Sequence, residues 1–497
     1  MSIDWFARAS AVRFRTGSVI SGELQGNLGG EAIVKYGPRD GGLLYRTTAA
    51  RREDVDGAVR CARKAFEDGR WSRAPLRHRR DVLSKWALLI ERNREELALL
   101  ECLEVGKPIA DALAFDVPAA VDIVRYNAEV IEKVASKVYG SDGSSLSFQL
   151  QRPIGVVAAI VGWNFPLVLA STKVAPALAV GNSVVLKPSE LTSLSAVRIA
   201  ELAVEAGVPE DVFNVVHGAG EVGGALTSHG DVDLVTFTGS SATGKKILVA
   251  SGQSNMKRLL LECGGKAPNI VFDDAGNLEG VAEGIVQRAF WNQGQVCTAS
   301  SRLLVHEGVR EKLLPLLVSK ASALRPGDPL DPLTGFGAVV SEEHKKKIVS
   351  YIDGGEGEGA TLLHLSSAPP PNKTGFYVQP AIFDHVSSSS RMAQEEIFGP
   401  VLSVMTFRDE VEAIRKANDT IYGLSAILWT RDLGRAHRVT QGIKAGWIVV
   451  NATDRPTGGP SDVVLSMGGL KQSGVGAEGG IEGLQTYMSQ TAVQYFV

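Results

Sequence analysis

Residues 154–161 read Ile154-Gly155-Val156-Val157-Ala158-Ala159-Ile160-Val161, a run without a single charge. Its length suits one strand, and an apolar run rich in β-branched residues is typical of a strand buried on both faces. Short, mainly apolar runs with β-branched residues recur at 183–186, 213–216 and 234–237. Helical patterns lie between these runs, at 195–206 and 222–228. Strands and helices that alternate at this pitch predict βαβ units in a mostly parallel sheet.

A second alternating series begins after residue 262. Its predicted strands are 269–272, 301–305 and 446–451, and its predicted helices are 279–291 and 307–323. Amphipathic patterns predict two more helices before the first series, at 52–70 and 75–104. We therefore expect an α/β protein in which two α/β units join near residue 260.

The composition narrows the class of protein. A chain of 497 residues is too long for one core, so two or more domains are expected. A net charge of −3 gives no reason to expect nucleic acid or a membrane surface as partner. No long apolar run and no basic leader are visible, so we expect no membrane span and a cytoplasmic location. The four cysteines lack metal-ligand spacing, so no metal is expected.

Cys297 is the best candidate for a nucleophile. Cys61 and Cys102 lie in predicted helices, where a lone cysteine is usually a small buried hydrophobe, and Cys263 is also interpreted as a packing residue. Cys297 instead follows the polar turn 292–296, between a helix and a strand. A thiol at such a junction can face a cleft, with backbone N–H groups that lower its pKa and hold an oxyanion.

Four further motifs lie at predicted strand ends. Glu262 precedes two glycines and suits a mobile general base, and the Asn164 amide suits an oxyanion donor. Lys187 and Glu190 suit ribose hydroxyls, and the stretch 237–244 resembles a shortened glycine-rich phosphate loop. Taken singly, each motif is as easily an ordinary turn, and no GxGxxG of the usual dinucleotide type is present.

In combination and in this order, the motifs resemble the aldehyde dehydrogenase superfamily, from about residue 40 to the C-terminus. The resemblance rests on Gly-Trp-Asn-Phe-Pro at 162, Lys-Pro-Ser-Glu at 187, Phe-Thr-Gly-Ser at 237 and Leu-Glu-Cys-Gly-Gly-Lys at 261. It continues with Asn-Gln-Gly-Gln-Val-Cys at 292, Glu-Glu-Ile-Phe-Gly-Pro at 395 and Gly-Gly-Leu-Lys-Gln-Ser-Gly at 468.

The resemblance implies a catalytic set. The family's nucleophilic thiolate corresponds to Cys297, and its oxyanion donors correspond to the Asn164 amide and the N–H of Cys297. Hydride transfer to a nicotinamide leaves a thioester, and the glutamate that activates water to hydrolyse it corresponds to Glu262. Lys173 and Glu478 match a pair behind this base, which is either a proton relay or an ordinary buried ion pair.

The resemblance also implies a cofactor site. Lys187 and Glu190 match adenine-ribose contacts, and Glu396 and Phe398 match the nicotinamide-ribose contact and its neighbour. The other implied cofactor residues are Trp163, Ser189, Gly220, Gly224, Phe237, Gly239 and, at the pyrophosphate, Ser240. A carboxylate at Glu190 should repel a 2′-phosphate, so NAD is expected, with NADP possible.

Departures from the family pattern concern the substrate tunnel. Gly162 replaces a usual proline, Thr172 stands where many members carry Trp, and Met467 replaces a usual Phe. The loop 451–465 is longer than is common, so we expect a wider or reshaped entrance. The implied substrate residues are Asp116, Thr172, Trp291 and Met467.

Two substrate classes stay open. The stretches 254–258 and 429–433 resemble enzymes for ω-amino or γ-glutamylamino aldehydes, and Asp116 could attract a cationic tail, although members that act on simple aldehydes also carry Asp there. The alternative is an aromatic or other bulky aldehyde, because the lost aromatics make room for a ring.

Other classes of protein fit less well. A CoA-acylating dehydrogenase normally lacks the glutamate at position 262, and a thiol hydrolase needs a histidine tied to Cys297. A non-catalytic binding protein on the same scaffold would have lost Cys297, Glu262 or Asn164, and all three are present.

The resemblance implies three structural units. A Rossmann-like NAD-binding domain is expected over 1–130 and 152–261, and a catalytic domain over 262–445 that continues to about 480. A small β arm, expected over 131–151 and 485–497, has edge-like strands that would pair with another chain in a homodimer or homotetramer.

Overall fold

The computed structural model describes residues 3–140, 143–451 and 463–496. The strands are β1 (Ser18–Ile20), β2 (Glu23–Gln25), β3 (Ala32–Tyr36), β4 (Leu43–Thr48), β5 (Lys137–Val138), β6 (Ser145–Pro153), β7 (Val156–Ile160), β8 (Ser183–Lys187), β9 (Phe213–Val215), β10 (Leu234–Thr238), β11 (Arg258–Glu262), β12 (Pro268–Val271), β13 (Arg302–His306), β14 (Thr361–Leu365), β15 (Ala381–Asp384), β16 (Val401–Phe407), β17 (Tyr422–Gly423), β18 (Ser425–Trp429), β19 (Trp447–Val450), β20 (Leu470–Lys471), β21 (Gly474–Val475) and β22 (Met488–Phe496).

The α-helices are α1 (Trp5–Ala11), α2 (Arg52–Glu67), α3 (Leu76–Arg92), α4 (Arg94–Val105), α5 (Ile109–Asp111), α6 (Val117–Val130), α7 (Pro166–Val180), α8 (Leu194–Ala206), α9 (Gly220–Ser228), α10 (Ser241–Gln253), α11 (Leu278–Phe290), α12 (Glu307–Ser322), α13 (Glu342–Gly354), α14 (Arg391–Gln394), α15 (Glu410–Asn418), α16 (Leu433–Gly442) and α17 (Gly480–Thr486). Short 3₁₀ or π turns cover Ala112–Asp116, Ile131–Lys133, Trp291–Gly294 and Glu356–Glu358.

The first sheet has eight strands in the order β2-β1-β9-β8-β7-β10-β11-β21. The strands from β9 to β11 run parallel, and β7 is buried along its whole length, as its apolar run predicts. Its alternate side chains pack against α3, α7 and α8 on one face and against α2, α9 and α10 on the other. From β7 the chain adds β8 and β9 on one side and then crosses to add β10 and β11 on the other, so a crevice opens at the carboxyl ends of β7, β8 and β10.

The second sheet has seven strands in the order β14-β15-β16-β13-β12-β18-β19. All its pairings are parallel except β14 with β15. The segment between β11 and β12 carries the chain from the first sheet to the second, near the junction predicted at residue 260. Strand β21 lies within the range assigned to the catalytic domain, but it returns to the first sheet and pairs antiparallel with β11. The predicted α/β class is confirmed.

A third sheet has three strands in the order β22-β6-β5. The alternating pattern at 145–151 forms β6 as predicted, and β6 pairs along its full length with β22. The prediction that both segments are edge strands is wrong for β6, because β22 and β5 of the same chain take its two sides.

One predicted helix is two. The amphipathic pattern over 75–104 divides at Asn93, whose backbone leaves the helical path at φ −96° and ψ 20°. The Asn93 side-chain amide donates to the Leu89 carbonyl at 2.7 Å, and the Asn93 backbone N–H donates to the same carbonyl at 3.1 Å, so this residue closes the last turn of α3. In the described ranges, none of the helices has the length and apolarity required to cross a bilayer.

Candidate active site

The turn before Cys297 bends the chain out of α11. Asn292 and Gln293 have φ of 47° and 56°, and Gly294 has a φ of 72°. A Cβ on Gly294 would lie 2.3 Å from the Gly399 carbonyl oxygen, so only glycine fits this left-handed position. The bend delivers the partly exposed Cys297 to the wall of a cavity that Glu262 also lines.

Asn164 lies against the turn that carries Cys297. Its side-chain amide donates to the Gln295 carbonyl at 2.9 Å, and the Asn292 amide donates to the Asn164 carbonyl at 3.1 Å. An amide nitrogen carries two N–H groups, so the bond to Gln295 leaves a second donor for an oxygen near Cys297. This arrangement can stabilise an oxyanion.

Glu262 is the last residue of β11, and two glycines follow it. A Cβ on Gly265 would lie 2.3 Å from the Cys297 carbonyl oxygen, and one on Gly264 would lie 2.4 Å from Glu396 Oε2. The Gly265 N–H donates to Glu396 Oε1 at 2.8 Å. The structure thus supplies a reason for the glycines other than the predicted mobility, namely the close approach of the nucleophile's backbone and Glu396.

The pKa values of the base and the nucleophile are both raised. Burial, reinforced by the charge of Glu478, raises the pKa of Glu262 to about 9. Burial, followed by the charges of Glu396 and Glu262, raises the pKa of the Cys297 thiol to about 12. The backbone N–H groups of Thr298 and Cys297 act to lower this pKa, as the sequence predicts, but burial and the two carboxylates outweigh them. An opposite charge or added solvation beside the thiol is needed to ionise it near neutral pH.

Lys173 and Glu478 form a buried ion pair behind Glu262. The Thr236 hydroxyl oxygen lies 3.1 Å from Lys173 Nζ and 3.3 Å from Glu478 Oε1. The Tyr487 hydroxyl donates to the Thr236 hydroxyl oxygen at 3.3 Å. Because Glu478 lines the cavity together with Glu262, the charge of the pair bears directly on the base.

The crevice of the first sheet has the groups that a dinucleotide requires. Lys187 ends β8, with its Nζ 3.8 Å from Glu190 Oε2, and burial lowers its pKa to about 8. Gly220 and Gly224 of α9 face open space. Ser240 caps α10, and its hydroxyl accepts from the Thr243 N–H at 3.2 Å. Ribose hydroxyls fit the Lys–Glu edge, and a pyrophosphate fits the N-terminus of α10.

Two of the predicted cofactor residues shape the backbone of this crevice. The Ser189 hydroxyl accepts from the Leu191 N–H at 3.2 Å and so stabilises the turn after β8. The buried Phe237 ring folds under Gly239, where an added Cβ would lie 2.5 Å from it.

Trp163 joins an aromatic cluster at the second sheet's side of the site. Its ring lies 5.2 Å from that of Phe398, which has a φ of 60°, and 5.0 Å from that of His344. His344 Nε2 lies 2.7 Å from the Phe398 carbonyl oxygen, and Lys347 donates to the Glu396 carbonyl. Sequence reasoning missed His344 and Lys347, because a polar face of α13 reads as ordinary solvent-facing surface.

A cavity of about 280 Å³ leads away from Cys297. Thr172 and Met467 line it, where the resemblance places them. Sequence reasoning missed the other apolar lining residues, which include Phe115, Ile123, Val168, Leu169, Trp447 and Leu465. They come from distant segments, and their only signal is the apolar periodicity of any core-facing helix or strand.

Asp116 is not a wall of this cavity, and its prediction as a substrate contact is wrong. It pairs with Lys107, and both side chains are 1% exposed. Lys107 Nζ lies 4.1 Å from the centre of the Phe165 ring, which closes the pair off. Trp291 also lies behind the wall, 4.6 Å from the Phe115 ring and 5.2 Å from the Phe165 ring. Most of the predicted long loop, residues 452–462, lies outside the described residues.

Known proteins resemble the chain over nearly its whole length. A sequence model of the aldehyde dehydrogenase family matches residues 27–493. The NADP/NAD-dependent aldehyde dehydrogenase PuuC of Escherichia coli (strain K12) is 43% identical over 97% of this chain and 96% of its own. The aminoacetaldehyde dehydrogenase of Pseudomonas aeruginosa is 43% identical over 95% of this chain and 94% of its own. A solved structure of the P. syringae indole-3-acetaldehyde dehydrogenase AldA, in complex with NAD+ and IAA, has a TM-score of 0.96 at 43% identity over 99% of both chains.

Proposed function

The chain belongs to the aldehyde dehydrogenase family, and from that membership we propose which of its residues carry out the oxidation. The enzyme is an NAD-dependent aldehyde dehydrogenase that converts an aldehyde and water into a carboxylic acid. The observation that supports our assignment is convergence: Glu262 and Cys297 line one cavity, and Asn164, from a third segment, bonds to the turn that carries Cys297.

Cys297 is the nucleophile. Its thiol first loses its proton to water, and the thiolate then attacks the aldehyde carbon. The second N–H of the Asn164 amide and the N–H of Cys297 stabilise the resulting oxyanion. Bound NAD supplies the hydride acceptor, and loss of hydride from the carbon leaves a thioester on Cys297.

Glu262 is the general base for hydrolysis. It removes a proton from a water that attacks the thioester, and it lines the cavity with one carboxylate oxygen that has no partner among the described residues. Its raised pKa makes it a strong proton acceptor once ionised, and the Lys173–Glu478 pair sets how readily it ionises.

The cofactor is held across the crevice. Lys187 and Glu190 bind the adenine ribose, the N-terminus of α10 at Ser240 binds the pyrophosphate, and Glu396 with Phe398 receives the nicotinamide ribose. The Glu190 carboxylate opposes a 2′-phosphate by like-charge repulsion, so NAD is preferred to NADP.

The proposed domains, location and oligomeric state follow those of the family. The first sheet belongs to the NAD-binding domain, the second to the catalytic domain, and the β22-β6-β5 sheet to an oligomerisation arm. The enzyme is a cytoplasmic homodimer or homotetramer, with β22 at the open edge of the arm's sheet as its pairing strand.

Two substrate classes have support. The aminoacetaldehyde dehydrogenase relative favours an amino aldehyde, whereas the indole-3-acetaldehyde dehydrogenase neighbour favours a ring aldehyde. Both classes place the aldehyde carbon at Cys297, so they differ only in what the tail of the substrate meets.

The test is NADH formation by purified protein with propanal, measured with NAD and with NADP. We expect turnover in the wild type and none in Cys297→Ala. The matched control is Cys61→Ala, which removes a thiol of α2 and keeps wild-type turnover. Turnover in Cys297→Ala, or silence of the wild type with every aldehyde and both cofactors, would contradict the proposal.

A further inference from the structure

We propose that the physiological aldehyde carries an uncharged, apolar tail, of ring or short-chain size, rather than an ammonium group. The inference rests on the proposed function, because the tail occupies the cavity only if Cys297 holds the aldehyde carbon. It deepens that function by naming the substrate class.

The walls of the tail region are hydrocarbon. Ile123 of α6 and Val168 with Leu169 of α7 form one side, and Trp447 of β19 and Leu465 contribute to the others. Such a surface binds apolar groups through the area that both sides remove from water.

The polar lining groups at the tail end bond to their own helices. The Thr172 hydroxyl donates to the Val168 carbonyl at 2.9 Å, and the Asn127 amide donates to the Ile123 carbonyl at 2.9 Å. Their donors are therefore engaged, and the Asn127 amide oxygen is an acceptor that has no bond among the described residues.

Both carboxylates among the described lining residues lie at the catalytic end. Glu262 is the base itself, Glu478 is paired with Lys173, and the Thr238 hydroxyl lies on the strand directly beside Glu262. Among the described lining residues, no other carboxylate faces the tail. An ammonium group there would lose its water and meet, among the described lining residues, only aromatic rings and the Asn127 side chain instead of a carboxylate, which is unfavourable.

Two carboxylates near the cavity do not change this result. Asp116 is closed off with Lys107 behind Phe165. Glu482 of α17 lies close enough to Tyr126, at the cavity wall, to act on its pKa, but Glu482 is exposed to water. A solvated carboxylate attracts a cation only weakly.

The volume of the cavity sets the size of the tail. About 280 Å³ accommodates a ring aldehyde, and it lies near the lower limit for small-molecule sites. The short Thr172 side chain and the flexible Met467 side chain border this space, so they decide whether a ring fits.

The experiment compares two aldehydes of nearly the same shape. Butanal and 3-aminopropanal differ by a methyl group in place of an ammonium, and 3-phenylpropanal adds a ring. We expect kcat/KM for butanal and for 3-phenylpropanal to exceed that for 3-aminopropanal by at least about 100-fold. Equal or better use of 3-aminopropanal would overturn the inference.

Substitutions locate the effect in the cavity. Thr172→Trp should lower the ratio of kcat/KM for 3-phenylpropanal over propanal by at least about 10-fold, and Met467→Phe provides a second, independent reduction of the space. Glu482→Gln is the matched control, and the butanal to 3-aminopropanal ratio should stay at its wild-type value. A loss of 3-aminopropanal activity in Glu482→Gln would show instead that an acidic entrance selects the substrate.

The two proposals fail in different ways. An enzyme that oxidises propanal but prefers 3-aminopropanal contradicts only the apolar tail. An enzyme that oxidises none of the four aldehydes with either cofactor contradicts the proposed function, and the apolar tail with it.

Discussion

Two buried lysine–carboxylate pairs lie on opposite sides of the cavity wall. Lys107 and Asp116 are both 1% exposed, and the Lys173 and Glu478 side chains are 0% and 10% exposed. The two pairs are alike in residue type and in burial. They differ in what their charges face.

Lys107 lies against the ring of Phe165, and neither Lys107 nor Asp116 lines the cavity. The other pair opens onto the cavity through Glu478, whose charge raises the pKa of Glu262, whereas the charge of Lys173 lowers it. A buried pair is therefore structural where its surroundings are closed, and it tunes chemistry where one partner adjoins a reacting group.

The largest expected effect is at Glu262, the base beside the Lys173–Glu478 pair. Glu262→Gln should lower kcat by about 10²- to 10⁴-fold, because the amide cannot accept the proton of water. A burst of one NADH per active site should precede the slow phase, since the thioester still forms. Rapid-mixing absorbance measures both phases, and wild-type kcat in the variant would remove Glu262 from the mechanism.

The Lys107–Asp116 pair should contribute to the free energy of unfolding. Asp116→Asn leaves Lys107 buried without its main partner, which should cost about 3 kcal/mol of unfolding free energy. Denaturant unfolding of the holoenzyme measures it. The exposed Glu342→Gln, which breaks a surface pair with Lys346, is the control and should change stability by less than about 1 kcal/mol. An unchanged midpoint in Asp116→Asn would contradict a structural role.

Substitutions in the Lys173–Glu478 pair should instead shift the pH profile of thioester hydrolysis. Glu478→Gln removes a negative neighbour and leaves Lys173, so the pKa of Glu262 falls and the rising limb of the rate shifts to lower pH. Lys173→Met leaves Glu478 alone, so the limb shifts to higher pH. Single-turnover hydrolysis across pH measures both, and shifts in the same direction would refute electrostatic tuning. The Asp116→Asn profile should match the wild type.

The smallest expected effect is at a third lysine–carboxylate pair, which is half open to water. Lys187 is 6% exposed and Glu190 is 41% exposed in their side chains. Glu190→Gln should raise the NADP to NAD ratio of kcat/KM by about 10-fold, since one repulsive charge is removed from a partly screened site. A ratio equal to that of the wild type would show that other groups select the cofactor.

Much of the fold was predictable from local pattern. The apolar run at 154–161 forms the buried strand β7, and the alternating run at 145–151 forms β6. Boundaries and partners were less predictable. The break at Asn93 depends on the backbone angles of one residue, and the pairing of β6 with β22 joins segments more than 300 residues apart.

The chemistry of the site followed from motifs, whereas its electrostatics did not. Asn164, Glu262 and Cys297 stand in short recognisable stretches. The structure brings Glu262 and Cys297 to one cavity and Asn164 to the turn before Cys297. The raised pKa of Cys297 depends on Glu396, nearly a hundred residues away, and on burial. Neither the burial of the thiol nor the proximity of Glu396 can be predicted from the residues around Cys297 alone.

The sequence by itself determined the α/β class, the family and the catalytic residue types, because strand texture and reactive motifs are local properties of the chain. Only the tertiary structure decided that Asp116 is closed off, that Lys173–Glu478 adjoins the base, and that the tail region is hydrocarbon. These properties depend on which side chains from distant segments share a small volume. In that volume, burial and neighbouring charge set the energy of every ionisable group.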